Sequence, residues 1–206
     1  MNTSPKGTAL ITGASSGIGT VYADRLAMSD DLADADPDRL ETMILINVLA
    51  PSRLAAVALP GFIARGRGTL VNISSMAALA PERLNAGYSG TKAYLLALSL
   101  RLQKEVAGKG VRVQVVLPGA TRTAIWGKAG VDIASLPPDM VMDVDEMVDA
   151  AIAGLDRGEL VTIPSLPDVA DWESYEAARW NLIPKLSLSS PAPRYRVPAL
   201  NAVGGS

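Results

Sequence analysis

A glycine-rich turn near the N-terminus constrains the fold of this 206-residue chain more than any other feature. The apolar segment Thr8–Thr12 predicts a short strand that runs into Gly13-Ala-Ser-Ser-Gly17-Ile-Gly19, followed by an amphipathic stretch that predicts a helix. Such a turn lets a pyrophosphate approach the free N–H groups of the helix N-terminus. The turn therefore predicts a dinucleotide site at the end of a first strand. For this motif alone, a glycine turn without a ligand is the alternative.

Two residue types that carry much enzyme chemistry are absent from the chain, which has neither cysteine nor histidine. Disulfides, thiolate nucleophiles, Ser-His-Asp triads and zincin motifs are therefore excluded, and we expect no metal site. Proton transfer must use Tyr, Lys, Asp, Glu, Ser or a bound cofactor. The formal charge of −2, without a basic stripe, argues against a nucleic-acid partner.

Apolar segments and helical patterns alternate along the chain. The predicted strands are residues 8–12, 68–75, 111–117 and 159–163, and the predicted helices are 38–64, 87–107, 143–155 and 168–182. We expect the first of these helices to be interrupted or kinked at Pro51 and Pro60. Buried β-branched strands that alternate with helices predict an α/β fold with a doubly wound parallel sheet, whose ligands lie at the carboxyl ends of the strands. We expect one domain over residues 1–186 and a mobile tail at 187–206.

Tyr88 and Lys92 lie four residues apart in a predicted helix and therefore share one face. An ammonium beside a phenol stabilises the phenolate and lowers a pKa that starts near ~10, so this tyrosine could exchange protons near neutral pH. Taken alone, most such pairs are surface neighbours.

Three further sites have polar or turn-forming residues where chemistry is possible. Ser75 follows a predicted strand and could hold a substrate oxygen, or it could be a turn or cap serine. Asn47 lies within an apolar helix, where it could serve function or bond a local carbonyl or water. Pro118-Gly119 ends a strand and could be a plain turn.

Together these motifs resemble those of the short-chain dehydrogenases/reductases, which are single-domain nicotinamide enzymes with a Rossmann-like fold. The resemblance extends in order from residue 8 to about residue 125. It rests on Thr12-Gly13-Ala-Ser-Ser-Gly17-Ile-Gly19, Asn47, Asn72-Ile-Ser-Ser75, Tyr88-Ser-Gly-Thr-Lys92 and Pro118-Gly119-Ala-Thr-Arg-Thr123.

The resemblance implies a role for each matching residue. Tyr88 would be the general acid/base, Lys92 would lower its pKa and bond the nicotinamide ribose, and Ser75 would orient the substrate oxygen. Asn47 would hold a water that extends the proton relay. The implied cofactor contacts are Gly13, Ser15, Ser16, Gly17, Ile18, Gly19, Tyr88, Lys92, Pro118, Gly119 and Thr123.

The resemblance also implies the ligands and partners. The cofactor would be NADP or NAD, with NADP preferred because the family pairs turns like Ala14-Ser15-Ser16 with it. Residues 124–142 would form an apolar lid, so we expect an apolar carbonyl or alcohol substrate. Family members usually form dimers or tetramers through the helices represented by 38–64 and 87–107. No secretory signal or membrane span is evident, so we expect a cytoplasmic protein.

The resemblance breaks between Ala27 and Leu32. The family's second, third and fourth strands have no counterpart here, and neither does the acidic residue of the adenine pocket. Losing the fourth strand leaves either a gap or a direct pairing that moves the glycine turn by ~5 Å towards Tyr88. Three hypotheses follow: a carbonyl/alcohol oxidoreductase, a non-catalytic family remnant that dimerises, and a nucleotide-binding regulator.

Overall fold

The structure is a computed structural model that describes residues 9–12, 32–122 and 136–195. It confirms an α/β fold in which parallel strands alternate with helices. The strands are β1 (Ala9–Thr12), β2 (Gly68–Ile73), β3 (Val111–Val116), β4 (Ala120–Arg122), β5 (Val141–Asp143) and β6 (Val161–Thr162). The helices are α1 (Pro37–Ile44), α2 (Ala50–Ala64), α3 (Ala86–Glu105), α4 (Val144–Arg157) and α5 (Val169–Leu182).

The main sheet has the order β1-β2-β3-β6, and all of its pairings are parallel. β1 pairs directly with β2, with Leu10 opposite Leu70 and Thr12 opposite Asn72. Of the two arrangements left open by the sequence, direct pairing is therefore the one adopted. The two strands that carry the glycine turn and Ser75 are neighbours at the usual spacing of ~4.8 Å.

Alternation along the strands puts one apolar cluster on one face of this sheet and the buried polar side chains of Gln114 and Thr162 on the other. The apolar cluster joins α2 and α3 to β2 and β3, and its buried members are Ala55, Leu59, Phe62, Leu70, Leu102, Val106, Val111 and Val113. On the opposite face, the Gln114 side-chain amide donates to the carbonyl of Ala151 in α4 at 2.8 Å and to Thr162 Oγ1 at 2.9 Å. Helices therefore cover both faces, as the doubly wound prediction requires.

The predicted interruption of the first long helix occurs at a different place. α1 and α2 are continuous through a π-helical turn at Leu45–Leu49, whereas Pro51 lies in the first turn of α2 and Pro60 lies inside it. Pro51 has no N–H to donate to the carbonyl of Asn47, four residues earlier, so regular α-helical bonding cannot pass this point. The wider turn accommodates that loss before the proline is reached.

A second, two-stranded sheet was not predicted from the sequence. β4 and β5 pair in parallel from Ala120–Val141 to Arg122–Asp143, and the last two residues also form an ion pair at 3.4 Å. Each strand has only three residues, too few for a hydrophobic period to be visible. β6 is likewise shorter than the predicted 159–163 strand.

The chain divides into two compact units, residues 1–165 and 166–206. The second contains α5, which is capped by the Asp168 carboxylate and carries stacked rings of Trp172 and Tyr175 with centroids 5.3 Å apart. The predicted limits, a domain over 1–186 and a tail over 187–206, stay a prediction.

One helical stretch in the described part of the chain, Pro37–Ala64, is long and apolar enough to cross a membrane by length and composition alone. The same stretch supplies core residues of the first unit, among them Leu59 and Phe62. The core helix of a globular domain also meets these two criteria, so the finding is weak evidence for a membrane span.

A close approach of two loops makes Gly110 sensitive to substitution. Its φ is +70°, and a Cβ built there would overlap the carbonyl oxygen of Gly66. We expect Gly110→Ala to lower the free energy of unfolding by about 2–3 kcal/mol, measured by urea denaturation. Gly90→Ala is the control, because no atom of the described residues lies within 4 Å of a Cβ at that helical position, and the variant should gain up to about 1 kcal/mol. Equal stability of the two variants would contradict the overlap.

Candidate active site

The carboxyl ends of β2 and β3 converge through backbone hydrogen bonds. The N–H of Ser74 donates to the carbonyl of Val116 at 2.8 Å, and that of Met76 donates to the carbonyl of Pro118 at 2.9 Å. Ser75 lies between these two anchor points. The structure therefore brings two of the predicted positions, Ser75 and Pro118, to one edge of the sheet.

Tyr88 and Lys92 lie on α3 beside that edge. The helix begins at Ala86, and the Asn85 side chain caps it by accepting from the N–H of Tyr88 at 3.1 Å. The Lys92 amine lies 5.4 Å from the centroid of the Tyr88 ring and donates to the carbonyl of Ile73 at 3.2 Å. The predicted pair is therefore formed on the sheet side of the helix.

Burial alters the acid–base chemistry of Lys92. It lowers the pKa of the amine from 10.5 to about 8, because the charged form loses hydration inside the protein. At pH 7 the amine is still mostly protonated, so it places a positive charge beside the Tyr88 ring.

Ser75 is in an extended conformation at the end of the loop that follows β2. Its Oγ accepts from the N–H of Ala77 at 3.2 Å, which caps the short 3₁₀ turn Met76–Ala78. This is the capping arrangement that the sequence left open as an alternative. The hydroxyl proton of Ser75 remains a donor while Oγ accepts, so capping is compatible with a bond to a substrate oxygen.

Asn47 lies in the π-helical turn and is buried, with 7% of its surface exposed. Its Nδ2 donates to Thr91 Oγ1 at 3.2 Å, and Thr91 lies between Tyr88 and Lys92 on α3. Asn47 is therefore hydrogen-bonded, through the hydroxyl of Thr91, to the turn of α3 that carries Tyr88 and Lys92. The water that the resemblance assigns to Asn47 stays a prediction.

The predicted Pro118-Gly119 turn comes just after β3, which ends at Val116. Among the described residues, the atom that a Cβ built on Gly119 would meet is Ser165 Oγ, at 4.0 Å. Seven predicted cofactor contacts lie outside the described residues: Gly13, Ser15, Ser16, Gly17, Ile18, Gly19 and Thr123. Most of the predicted lid, residues 124–135 of 124–142, lies outside them as well.

Two residues with a place in this geometry were not singled out from the sequence. Ser74 Oγ donates to the carbonyl of Lys92 at 2.7 Å. Thr91 Oγ1 accepts a hydrogen bond from the side-chain amide of Asn47. Both are buried, at 3% and 4% exposed. Thr91 had a signal, since threonine is a poor helix former in the middle of a helix unless its hydroxyl has a role. Ser74 had none beyond its place next to Ser75.

The fold and this edge define a Rossmann-like α/β protein with a Tyr–Lys pair beside the carboxyl ends of its strands. The family model described as short chain dehydrogenase matches residues 27–133, which is more than half of the chain. The chain therefore belongs to the short-chain dehydrogenase family.

Solved structures and curated relatives agree with this assignment. A short-chain dehydrogenase from Sphingobium yanoikuyae in complex with NADPH is 41% identical, with a TM-score of 0.82 over 94% of this chain and 71% of that chain. The bulky-bulky ketone specific alcohol dehydrogenase from Comamonas testosteroni is 37% identical, with a TM-score of 0.75 over 91% and 66% of the two chains. The human inactive hydroxysteroid dehydrogenase-like protein 1 is 39% identical over 88 residues, 43% of this chain and 27% of that protein.

The match with the curated relatives is partial. The alignments span 27–42% of the length of those relatives, although they cover up to 47% of this chain. They therefore support the family, and they leave activity, substrate and partners to be proposed.

Proposed function

We propose that this protein is a nicotinamide-dependent oxidoreductase that interconverts a carbonyl compound and its alcohol, with Tyr88 as the general acid/base. The observation that carries the proposal is the Tyr88–Lys92 pair itself. Its amine is buried, lies 5.4 Å from the phenol ring and is anchored on the end of β2. In a pair of surface neighbours, the lysine amine would be neither buried nor hydrogen-bonded to the end of a core strand.

The residues at this edge fit a nicotinamide cofactor. An ammonium has three donors, and among the described residues the carbonyl of Ile73 is the hydrogen-bond acceptor of the Lys92 amine. The remaining donors suit a ribose diol. The described residues leave space beside the backbone of Gly119, which suits the approach of a flat ring. When bound, the nicotinamide supplies or accepts the hydride. We propose NADP as the preferred cofactor, supported by the NADPH complex of the Sphingobium yanoikuyae relative.

The chain's own groups would handle the proton. In reduction, the Tyr88 hydroxyl donates its proton to the carbonyl oxygen as the carbon gains hydride, which leaves a phenolate and an alcohol. In oxidation, the phenolate takes the hydroxyl proton back. The positive charge of Lys92 favours the phenolate in both directions, and the Ser75 hydroxyl holds the substrate oxygen in reach.

The proposed substrate is an apolar carbonyl compound or alcohol. The described part of the predicted lid includes Met140, which is 56% exposed and leaves an apolar side chain available for contact. The name of the Comamonas testosteroni relative, a bulky-bulky ketone specific alcohol dehydrogenase, supports a ketone or alcohol substrate.

A single titration series tests the proposal. We expect NADPH to bind with a measurable Kd by fluorescence, and an aromatic ketone panel to be reduced slowly as NADPH absorbance falls. Absence of binding of both NADPH and NADH at millimolar concentration would exclude an oxidoreductase. Binding without turnover on the whole panel would instead indicate a nucleotide-binding regulator.

A non-catalytic dimerising module is the second candidate, and the surface of the first unit supports it. Apolar side chains on the helical stretch 37–64 are exposed, with Val57 at 82%, and they include Ile44, Leu45, Leu49 and Leu54. The exposed side of α3 includes small residues: Ala86, Gly90 and Ala93. The human relative is named as inactive, which supports a non-catalytic function for a chain of this family. A dimer by light scattering that binds neither dinucleotide would favour this function, and Val57→Glu should then make it monomeric.

A further inference from the structure

We propose that Thr91 is a positioning residue that couples Asn47 to the Tyr88–Lys92 turn, an inference that rests on the proposed function. Its hydroxyl joins the side chain of Asn47 in the π-helical turn to the backbone carbonyl of Tyr88 in α3. Thr91 would therefore act through its neighbours and would not touch substrate.

The hydrogen bonds at Thr91 have a fixed direction. Its Oγ1 donates to the carbonyl of Tyr88 at 2.8 Å and accepts from Asn47 Nδ2 at 3.2 Å. A hydroxyl has a single proton, so the proton given to Tyr88 leaves only acceptor capacity for the amide. Thr91 is 4% exposed and Asn47 is 7% exposed, so water cannot easily replace either partner.

The same turn of α3 is held from the strand side by two other bonds. Ser74 Oγ donates to the carbonyl of Lys92 at 2.7 Å, and the Lys92 amine donates to the carbonyl of Ile73 at 3.2 Å. Thr91 supplies the opposing contact from the π-helical turn. The Tyr–Lys turn is thus fixed between β2 on one side and Asn47 on the other.

Removing the hydroxyl should displace the reacting groups slightly without removing any of them. A valine at this position keeps the shape and leaves the Asn47 amide without this acceptor inside the protein. Misplacement by ~1 Å can cost 10²-fold in rate, and a smaller displacement costs less. We therefore expect Thr91→Val to act on kcat more than on KM.

α3 contains a matched arrangement away from the site. Asn72 Nδ2 donates to Ser99 Oγ at 2.8 Å, and Ser99 Oγ donates to the carbonyl of Leu95 at 2.7 Å. Ser99 is fully buried, and it lies two turns beyond Lys92 on the same helix. Ser99→Ala therefore removes the same type of amide–hydroxyl–carbonyl chain from the core, which makes it the control for a purely structural effect.

Lys92 provides a readout that does not depend on turnover. Groups from three sides face its turn. From α3 comes Tyr88, whose titratable side chain is in ring contact with the amine. The Ile73 carbonyl at the end of β2 and the hydroxyl of Ser74, the next residue, face it from the sheet, and the Asn47 amide faces it from the π-helical turn. If Thr91 sets the position of this turn, its removal changes the burial of the amine and therefore its titration.

The experiment compares Thr91→Val, Thr91→Ser and Ser99→Ala in the full chain. We expect Thr91→Val to lower kcat about tenfold with KM changed less than about twofold, and to shift the midpoint of the Lys92 Cε NMR titration by about half a unit or more. Thr91→Ser should restore both quantities, because it keeps the hydroxyl. Ser99→Ala should lower the melting temperature while leaving kcat and the titration unchanged.

Three outcomes would overturn the role of Thr91: equal effects of Thr91→Val and Ser99→Ala on kcat, no rescue by serine, or an unmoved Lys92 titration in Thr91→Val. Wild-type protein without turnover would contradict the proposed function and leave the NMR comparison as the test of positioning. The two failures are therefore distinguishable.

Discussion

Replacing Tyr88 by phenylalanine is expected to lower the rate of carbonyl reduction about 10³-fold, with little change in NADPH affinity. The substitution removes one oxygen and keeps the ring beside the Lys92 amine, 5.4 Å from the ring centroid. General acid catalysis by a positioned side chain contributes about 10²–10⁴-fold, and that contribution is what the variant loses. The measurement is kcat by NADPH absorbance together with Kd by fluorescence titration.

Tyr94 offers a matched control on the same helix. Its hydroxyl lies 2.8 Å from Ser52 Oγ, and the side chain is 38% exposed. Tyr94→Phe therefore removes the same atom from α3 at a position outside the site, and kcat should stay within about twofold of wild type. A Tyr88→Phe variant that is as active as Tyr94→Phe would exclude Tyr88 as the general acid/base.

Replacing Lys92 by methionine is expected to change how stability depends on pH. In the folded chain the pKa of Lys92 is lowered to about 8, whereas in the unfolded chain it stays near 10.5. Between these values the unfolded state binds more protons, so the stability of the wild type rises with pH relative to Lys92→Met. We expect the difference in unfolding free energy to change by about 2 kcal/mol from pH 7 to pH 10.

The same variant should lose activity, because it removes the charge that favours the Tyr88 phenolate and a donor for the proposed ribose. We expect kcat/KM to fall about 10²-fold, measured alongside urea denaturation at each pH. Lys104→Met on α3 serves as the control for removing a lysine from this helix, since Lys104 is exposed. Parallel stability curves for wild type and Lys92→Met would show that the amine is not buried.

Local patterns predicted the elements that carry the site. The predicted helix at 87–107 corresponds to α3, Ala86–Glu105, because its apolar spacing is a property of adjacent residues. The helical repeat alone puts Tyr88 and Lys92 on one face. The β-branched run at 111–117 likewise gave β3 almost to the residue, because a buried strand has its own composition.

Distant contacts could not be predicted in this way. Asn47 was recognised as an unusual helix residue, but its partner Thr91 lies 44 residues further along the chain. The interruption expected at Pro51 and Pro60 lies instead at Leu45–Leu49, because the helix adjusts its hydrogen bonding before the proline. β4 and β5 were missed because a three-residue strand exists only through its partner.

By itself, the sequence determined the α/β class, the exclusion of histidine and cysteine chemistry, and the Tyr–Lys pair, since these depend on composition and on the repeat of a single helix. Only the tertiary structure decided that β1 pairs directly with β2, and that the Lys92 amine lies buried against the end of β2. Strand order and burial depend on which segments pack together across the whole chain. The periodicity of a single segment does not predict which other segments it packs against.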